Sequence, residues 1–456
     1  MTSDPKSGKR IFAKSNTNPL LGFLLLEHPM ILVFLVCLAV WCVEVFFVVG
    51  YSRYALRDVP NTFYGTVEVW VRHGFFKQFG LWSGVPFDAS ALSSAPIGTH
   101  RSFAPGYIWP IFALQKIVYA LTGRTINCLY SFYASVFPIL TGCLIASLFI
   151  LRATGLQRRS RTLLACVFAV NYMTNHFASQ AFNQLVNLET TFLAGVTAFI
   201  YLLDWKGSRG EAWPTWTWWT AGLFFGYMTS SETMLFVAAF CLLEIATYHA
   251  DRPINWRPFF SFILGVVCAA GVFTIQLLAA RHRYPWLFLS GSELKARAGL
   301  DGSAQFYRTW IDVVQGGVGG IGKRFRNSAW PVEAVMGLIG FLLCLPQSVR
   351  ALEHRRFTLG AYASFLIVVY IIHVAFLAQM VVIHPYFFDA FIATPCYVFA
   401  FLLLPEWLCS QSQTLGKNLS AEVLETSIVL VFCLIGLVLF GDNLRKLALT
   451  FPSHRG

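Results

Sequence analysis

Charged residues are scarce in this sequence. They make up 12% of the chain, whereas 56% of the residues are hydrophobic and the mean hydropathy is +0.60. Soluble domains carry about a quarter charged residues, so this shortage excludes an ordinary soluble domain and indicates a polytopic membrane protein. Backbone polar groups in a bilayer must pair internally, and the apolar runs are too long and uniform for barrel strands, so we predict an all-α bundle.

The apolar runs predict about eleven transmembrane helices, each near the length that crosses hydrocarbon. They fall near residues 30–50, 127–151, 162–178, 187–204, 215–230, 232–248, 258–280, 331–348, 357–380, 386–405 and 424–441. The chain therefore divides into a basic N-terminal segment, 1–29, and a membrane domain, 30–456.

Several motifs are also missing. The eleven cysteines show no CxxC and no metal-like spacing, which favours buried structural thiols. The first apolar run lacks a cleavage site and is read as an uncleaved anchor. No internal repeat and no matching pair of broken spans is present, which counts against a secondary transporter. The glycines between 316 and 322 lack the frame of a phosphate-binding loop, which argues against a nucleotide site.

Basic residues set the predicted orientation. Short segments on one side of the spans carry Lys and Arg, including Arg152, Arg158, Arg159 and Arg161, and the short turns on the other side carry none. The basic side is predicted to be cytoplasmic, and the odd number of spans then places the C-terminus outside. This orientation sends two long loops, 51–126 and 281–330, to the non-cytoplasmic face.

The positive charge of those outer loops is not explained by the rule that places basic loops on the cytoplasmic side. The net charge of +12 might suggest nucleic acid, but many of the basic residues are ordinary cytoplasmic anchors, so no nucleic-acid partner is expected. Arginines in the second loop would suit an anionic, phosphate-bearing ligand at the membrane surface. Contact with lipid headgroups is the alternative.

The first outer loop is more than a linker. Apolar spacing in NTFYGTVEVWVRHGFFKQFG predicts a helix, and PGYIWPIFALQKIVYALTG predicts an amphipathic helix lying in the interface. The segment between them is rich in Gly, Ser and Pro and is predicted to be full of turns.

Five segments, in order, resemble the GT-C superfamily of membrane glycosyltransferases. RYALRDVPNTFY is similar to the acidic motif of that family's first loop, and THRSFAPGYIWPIFALQKIVYALTG to its His-Pro-Pro-aromatic stretch and juxtamembrane helix. The later segments are RTLLACVFAVNYMTNHFASQAFNQLVNLETTFL, GLFFGYMTSSETMLFVAAF and VVIHPYFFDAFIATPCYVFAFLLL. The resemblance covers about residues 30–405 and implies an inverting enzyme that takes a sugar from a polyprenyl-phosphate carrier.

The sequence also departs from the family pattern. Many members carry two adjacent acids in the first loop, whereas here Asp58 is followed by Val59 and the next acid is Glu68. The His-Pro-Pro motif is replaced by HRSFAPG, so the role of His100 is inferred from its position.

Glycosyl transfer requires a base for the acceptor hydroxyl and a stabiliser for the departing phosphate. We predict Asp58 as the base and Glu68 as the alternative base. The competing interpretation of Asp58 is a salt bridge with a nearby arginine or a helix N-cap. The competing interpretation of Glu68 is a helical ion pair with Arg72.

The remaining predicted site residues would bind substrate. Guanidinium groups match phosphate geometry, and ionisable groups near the outer ends of spans face a cavity or a partner by default. These candidates are His73, His100, Arg101, His176, Glu232, Arg281, Arg283 and His384. For His176, Glu232 and His384, which lie near the outer ends of spans, a polar contact between helices is the alternative.

No cofactor is predicted. A divalent metal held by Asp58, Glu68 and Asp88 is the less favoured possibility, because no paired spacing enforces it. The expected partners are a polyprenyl-phosphate sugar donor, a glycan, lipid or protein acceptor, and membrane lipid. The expected location is a bacterial inner membrane, with the N-terminus cytoplasmic and the site periplasmic. Alternative functions are a lipid or polyol transporter or flippase, or a non-catalytic subunit of a membrane complex.

Overall fold

The protein was analysed as a computed structural model. It describes residues 28–43, 61–81, 106–153, 155–180, 215–229, 233–246, 256–281, 331–353, 358–383, 389–415 and 420–450. Throughout these ranges the regular structure is helical and no β-strand is present. The prediction of an all-α protein is therefore confirmed for the part of the chain that the structure describes.

The described helices are numbered here in chain order. They are α1 (Pro29–Cys42), α2 (Asn61–His73), α3 (Trp109–Thr122), α4 (Asn127–Arg152), α5 (Arg158–Gln180), α6 (Thr215–Thr229), α7 (Thr233–Ala246), α8 (Trp256–Arg281), α9 (Pro331–Glu353), α10 (Leu359–Ile383), α11 (389–415) and α12 (Ala421–Thr450). Short 3₁₀ turns occupy Phe76–Gln78 and Gly106–Ile108. Helix α11 contains two π-helical stretches, Asp389–Ala393 and Phe399–Leu403.

Three of these helices are long and apolar enough to cross a bilayer. The qualifying stretches are Phe259–Ala280, Phe391–Ser412 and Ala421–Arg445, and shorter apolar stretches lie in α1, α4, α9 and α10. These features are compatible with an integral membrane protein. Helices occupy, at least in part, the positions of the predicted spans, except for 187–204, which lies outside the described residues.

One large apolar core joins most of the bundle. It draws buried side chains from α1, α4, α5, α7, α9, α10, α11 and α12. Helix α5 packs against α1, α4 and α12, and its Ala165, Phe168 and Ala169 are fully buried. By contrast, α8 and α12 expose large apolar side chains, including Ile275 and Val438, as expected for surfaces that face lipid.

Helices α9 and α11 approach closely at a glycine. A Cβ atom added to Gly340 would lie 2.6 Å from the carbonyl oxygen of Phe399. A Cβ atom added to Gly337, one turn earlier on the same face, would lie 2.9 Å from the carbonyl oxygen of Cys396. Small residues three apart allow two helix backbones to meet, which is a common way to pack helices in membranes.

At one end of the bundle, the starts of α1, α5, α10 and α12 lie beside the ends of α4, α9 and α11. This end is here called the basic end. Arg161 Nη1 donates to the carbonyl of Ile150 at 2.8 Å, which joins the start of α5 to the end of α4. Glu425 Oε1 accepts the backbone N–H of Gln157 at 2.8 Å, which joins the start of α12 to the start of α5. Glu425 thus supplies an acceptor and a negative charge to the N-terminus of α5.

Removing the Glu425 side chain is predicted to lower the stability of the folded protein. Glu425 is 5% exposed but Gln157 is exposed, so Glu425→Ala removes the acceptor of a partly buried hydrogen bond from the backbone N–H of Gln157. We expect a loss of about 0.5–2 kcal/mol, the range for losing a helix N-terminal cap, seen as a lower melting temperature of the detergent-purified protein. Glu422→Ala, which removes an exposed carboxylate from the same helix, is the matched control and should melt like wild type. Equal melting of both variants would contradict the capping role.

Candidate functional site

Helix α2 forms because its apolar residues recur on one face. Val67, Trp70 and Val71 are buried at helical spacing, and the helix stops at Gly74, whose φ of +92° suits glycine. Arg72 and His73 are exposed in the last turn, where positive charge complements the helix dipole. The predicted helix in the first outer loop is thereby confirmed.

Helix α3 has recognisable signals at both ends. Pro110 lies in its first turn, and Gly123 follows its last residue with a φ of +69°, a left-handed C-terminal cap. Gln115 then fixes the turn into α4: its Oε1 accepts the N–H of Ile126 at 3.0 Å and its Nε2 donates to the carbonyl of Ile126 at 2.8 Å. The second predicted helix of this loop is also confirmed.

The two helices fold into one unit, here called the outer-loop unit and made of residues 61–81 and 106–126. Lys116 Nζ donates to the carbonyl of Val71 at 2.7 Å, and Trp70 Nε1 donates to the carbonyl of Leu81 at 3.1 Å. The rings of Phe75 and Phe112 stack with centroids 5.4 Å apart, and Trp70 meets both edge-on. Aromatic packing of this kind makes the unit rigid.

Tyr130 anchors the outer-loop unit to the start of α4. Its side chain is fully buried in the same apolar cluster as Val67, Trp70, Ile108 and Ile111. The unit therefore lies at the end of the bundle opposite the basic end, because α4 reaches the basic end at its last turn.

Glu68 is held by two partners. Its Oε2 pairs with Arg72 at 2.8 Å, one turn along α2, and its Oε1 accepts the hydroxyl of Thr125 at 2.5 Å. The predicted ion pair with Arg72 is thus present. Since each carboxylate oxygen has a partner, the geometry gives Glu68 the role of tying α2 to the turn before α4.

The outer-loop unit also contacts the ends of α6 and α8. Leu81 belongs to one buried apolar cluster with Met228 of α6 and with Ala269, Phe273 and Ala280 of α8. A Cβ atom added to Gly106 would lie 2.5 Å from Cβ of Met228 and 2.7 Å from its carbonyl oxygen. The unit, α6 and α8 are therefore in direct contact.

Most of the predicted site residues lie, along the sequence, within or a few residues from the outer-loop unit, α6 or α8. Asp58, Glu232, Arg283, His384, His100 and Arg101 lie outside the described residues. Asp58 precedes the first residue of α2 by three positions, Glu232 falls between α6 and α7, and Arg281 is the last residue of α8. His176 lies in the last two turns of α5, and His73 is exposed on α2. Asp58 thus precedes a helix of the outer-loop unit, Glu232 follows α6, and Arg281 ends α8, the two helices that contact the unit.

The metal alternative involves residues that are only partly described. Among the described residues, no group of three or more His, Cys, Asp or Glu side chains could hold a metal ion. Asp58 and Asp88, the two proposed partners of Glu68 in such a site, lie outside those residues. Metal independence therefore stays a prediction.

Sequence reasoning missed a buried acid at the end of the bundle where the outer-loop unit lies, opposite the basic end. Glu333, in the first turn of α9, is fully buried, and Nδ2 of Asn443 on α12 lies 3.5 Å from its Oε1. His373, in the middle of α10, is also fully buried. The signal was available, because an ionisable residue within an apolar run is costly and marks a polar partner or a functional position.

Cavities are present at the basic end as well. One of about 350 Å³ lies between the end of α4, the start of α10 and the later parts of α9 and α11, and Arg152, Ser348, Thr358 and Glu406 contribute its polar lining. Another of about 400 Å³ lies between α1, α4 and α5. Both are remote from the outer-loop unit, which contains Glu68.

Comparison with known proteins assigns this chain to no protein family. The sequence matches no family model, and no characterised protein matches it significantly. In the described residues the fold is all-helical, and its longest apolar helices suit a membrane.

Proposed function

We propose that this protein is an integral membrane glycosyltransferase that moves a sugar from a polyprenyl-phosphate carrier to an acceptor on the non-cytoplasmic face. The observation that supports the proposal is the packing of the outer-loop unit against α6 and α8. Along the sequence, Asp58 precedes this unit by three residues, Arg281 ends α8 and Arg283 follows it. A base and a phosphate-binding group are the two parts that the reaction needs.

The reaction is a displacement at the anomeric carbon of the donor. The acceptor hydroxyl attacks that carbon while Asp58 takes the hydroxyl proton, so the new glycosidic bond forms as the bond to phosphate breaks. Polyprenyl phosphate leaves with its electron pair, and guanidinium groups of Arg281, Arg283 and Arg101 stabilise the developing charge. Attack from the side opposite the phosphate inverts the configuration of the sugar.

The outer-loop unit would supply the positioning that this displacement requires. Asp58 lies three residues before the start of α2. Hydrogen bonds of Trp70, Glu68 and Lys116 hold α2 to the neighbouring segments. Catalysis by a carboxylate depends on its being held near the attacking oxygen. His73, His100, His176, Glu232 and His384 are proposed to contact the sugar or phosphate.

Glu68 offers a test within this unit. Because both of its oxygens serve structural contacts, we expect Glu68→Gln to transfer sugar at close to the wild-type rate and to melt slightly lower. The pair with Arg72 is partly exposed, so its share of the stability loss is about 0.2–1 kcal/mol. Transfer rate and melting temperature are measured on the same preparation. A Glu68→Gln enzyme that is stable yet inactive would make Glu68 the base instead.

The predicted topology completes the proposal. About eleven spans with a cytoplasmic N-terminus would place the outer-loop unit and loop 281–330 on one non-cytoplasmic face. A bacterial inner membrane, with the site facing the periplasm, is the proposed location. The partners are the lipid-linked donor, a glycan, lipid or protein acceptor, and membrane lipid, and no cofactor is needed.

The proposal is tested with a panel of radiolabelled polyprenyl-phosphate sugars. Membranes containing the wild-type protein are compared with membranes lacking it, with and without a metal chelator. We expect one donor to lose its label to an acceptor only where the protein is present, and the chelator to leave that transfer unchanged. A donor that crosses the membrane without losing its sugar would instead support the transporter or flippase.

A further inference from the structure

The cavity between α1, α4 and α5 joins two chemically different surfaces. It has a volume of about 400 Å³ and opens at the basic end. Its polar lining comes from His28, Arg158 and Arg161, and its apolar lining includes Ile31, Ile150 and Leu151. No Asp or Glu lines it, so among the described residues its charged lining is entirely basic.

The cationic part is built from two arginines one turn apart on α5. Arg158 and Arg161 are three residues apart, so they lie on one face of the helix. Arg161 Nη1 donates to the carbonyl of Ile150 at 2.8 Å, which holds the guanidinium at the mouth of the cavity. Two guanidinium groups with further N–H donors can bind a phosphate through paired hydrogen bonds.

The apolar part faces outward. Ile31 is 49% exposed and Leu151 is 44% exposed, although both line the cavity. Ile31 belongs to α1 and Leu151 to α4, and each lies in one of the shorter apolar stretches, Pro29–Cys42 and Pro138–Arg152. The head of a ligand that fills this cavity would therefore contact basic groups, and the tail of that ligand would contact outward-facing apolar side chains.

We propose that this cavity is a specific site for one anionic phospholipid, with its phosphate between Arg158 and Arg161 and an acyl chain along Ile31 and Leu151. A free phosphate ion would satisfy only the arginines, and a zwitterionic lipid would bring an ammonium group into a lining whose described residues include no carboxylate. The inference rests on the protein being embedded in a membrane. It does not depend on sugar transfer, because the site lies at the end opposite the outer-loop unit.

The test measures lipid-dependent stabilisation of the full chain purified in detergent. Its melting temperature is followed during titration with phosphatidylglycerol, with phosphatidylcholine and with inorganic phosphate. We expect a saturable rise with phosphatidylglycerol only. In Arg158→Glu, the phosphatidylglycerol concentration that gives half of the rise should increase about fivefold or more, since each surface arginine contributes about 1 kcal/mol to binding an anionic lipid surface.

Arg159→Glu is the matched control. Arg159 is the next residue along the helix, is equally exposed, and does not line the cavity, so the two variants have the same net charge. We expect Arg159→Glu to titrate like wild type. The site is overturned if both variants weaken the lipid effect equally, if Arg158→Glu leaves it unchanged, or if phosphatidylcholine or inorganic phosphate reproduces it. The comparison of lipids on wild-type protein decides the matter even if a variant fails to fold.

Discussion

Asp58→Asn will abolish sugar transfer while leaving the protein folded in the membrane. The substitution keeps the size of the side chain but removes the carboxylate proposed to accept the proton of the acceptor hydroxyl. General-base catalysis contributes about 10²–10⁴-fold, so the rate should fall by that factor. The measurement is the initial rate of label transfer from the preferred polyprenyl-phosphate sugar, with the amount of folded protein determined by gel filtration.

The control for this substitution is Glu422→Gln. It removes one exposed carboxylate at the start of α12, at the basic end, and should retain full activity. If Asp58→Asn transfers sugar as well as Glu422→Gln does, Asp58 forms only a salt bridge or a helix cap. The base must then be sought elsewhere, with Glu68 and the buried Glu333 as the next candidates.

Gly106→Val is expected to have the second largest effect. The new side chain would overlap both Cβ and the carbonyl oxygen of Met228, which are 2.5 and 2.7 Å from the position of the first added atom. Because a backbone oxygen at the end of α6 cannot move far, the outer-loop unit must shift away from α6. A displacement of about 1 Å at a catalytic site can cost about 100-fold in rate, and we expect a loss of that order.

Gly271→Val tests whether this loss comes from the specific contact. Gly271 lies on α8 with open space around its Cα, so the same added atoms meet nothing. This variant should transfer sugar like wild type, whereas Gly106→Val should be inserted and folded but slow. Equal rates for the two variants would show that the packing of the outer-loop unit on α6 does not matter for activity.

The helices of the outer-loop unit were predictable because their signals are local. The apolar spacing of Val67, Trp70 and Val71 defines the buried face of α2, and Pro110 with Gly123 marks the two ends of α3. The ion pair of Glu68 with Arg72 was predictable for the same reason, since a separation of four residues on a helix brings the side chains together.

Contacts between distant parts of the chain could not be predicted in this way. Thr125 is 57 residues from Glu68, and Asn443 is 110 residues from Glu333, so no sequence spacing links them. The contact of Gly106 with Met228 likewise depends on how separate helices pack. The π-helical stretches of α11 follow no apolar repeat that distinguishes them from an ordinary helix.

The most direct test of glycosyl transfer uses purified wild-type protein and a donor labelled separately in its sugar and in its polyprenyl phosphate. Both labels are followed after mixing with membrane extract as the source of acceptor. Transfer predicts that polyprenyl phosphate without its sugar accumulates in a one-to-one ratio with newly glycosylated acceptor, and that Asp58→Asn produces neither. If the donor stays intact with every sugar of the panel, the protein is not a glycosyltransferase of this type.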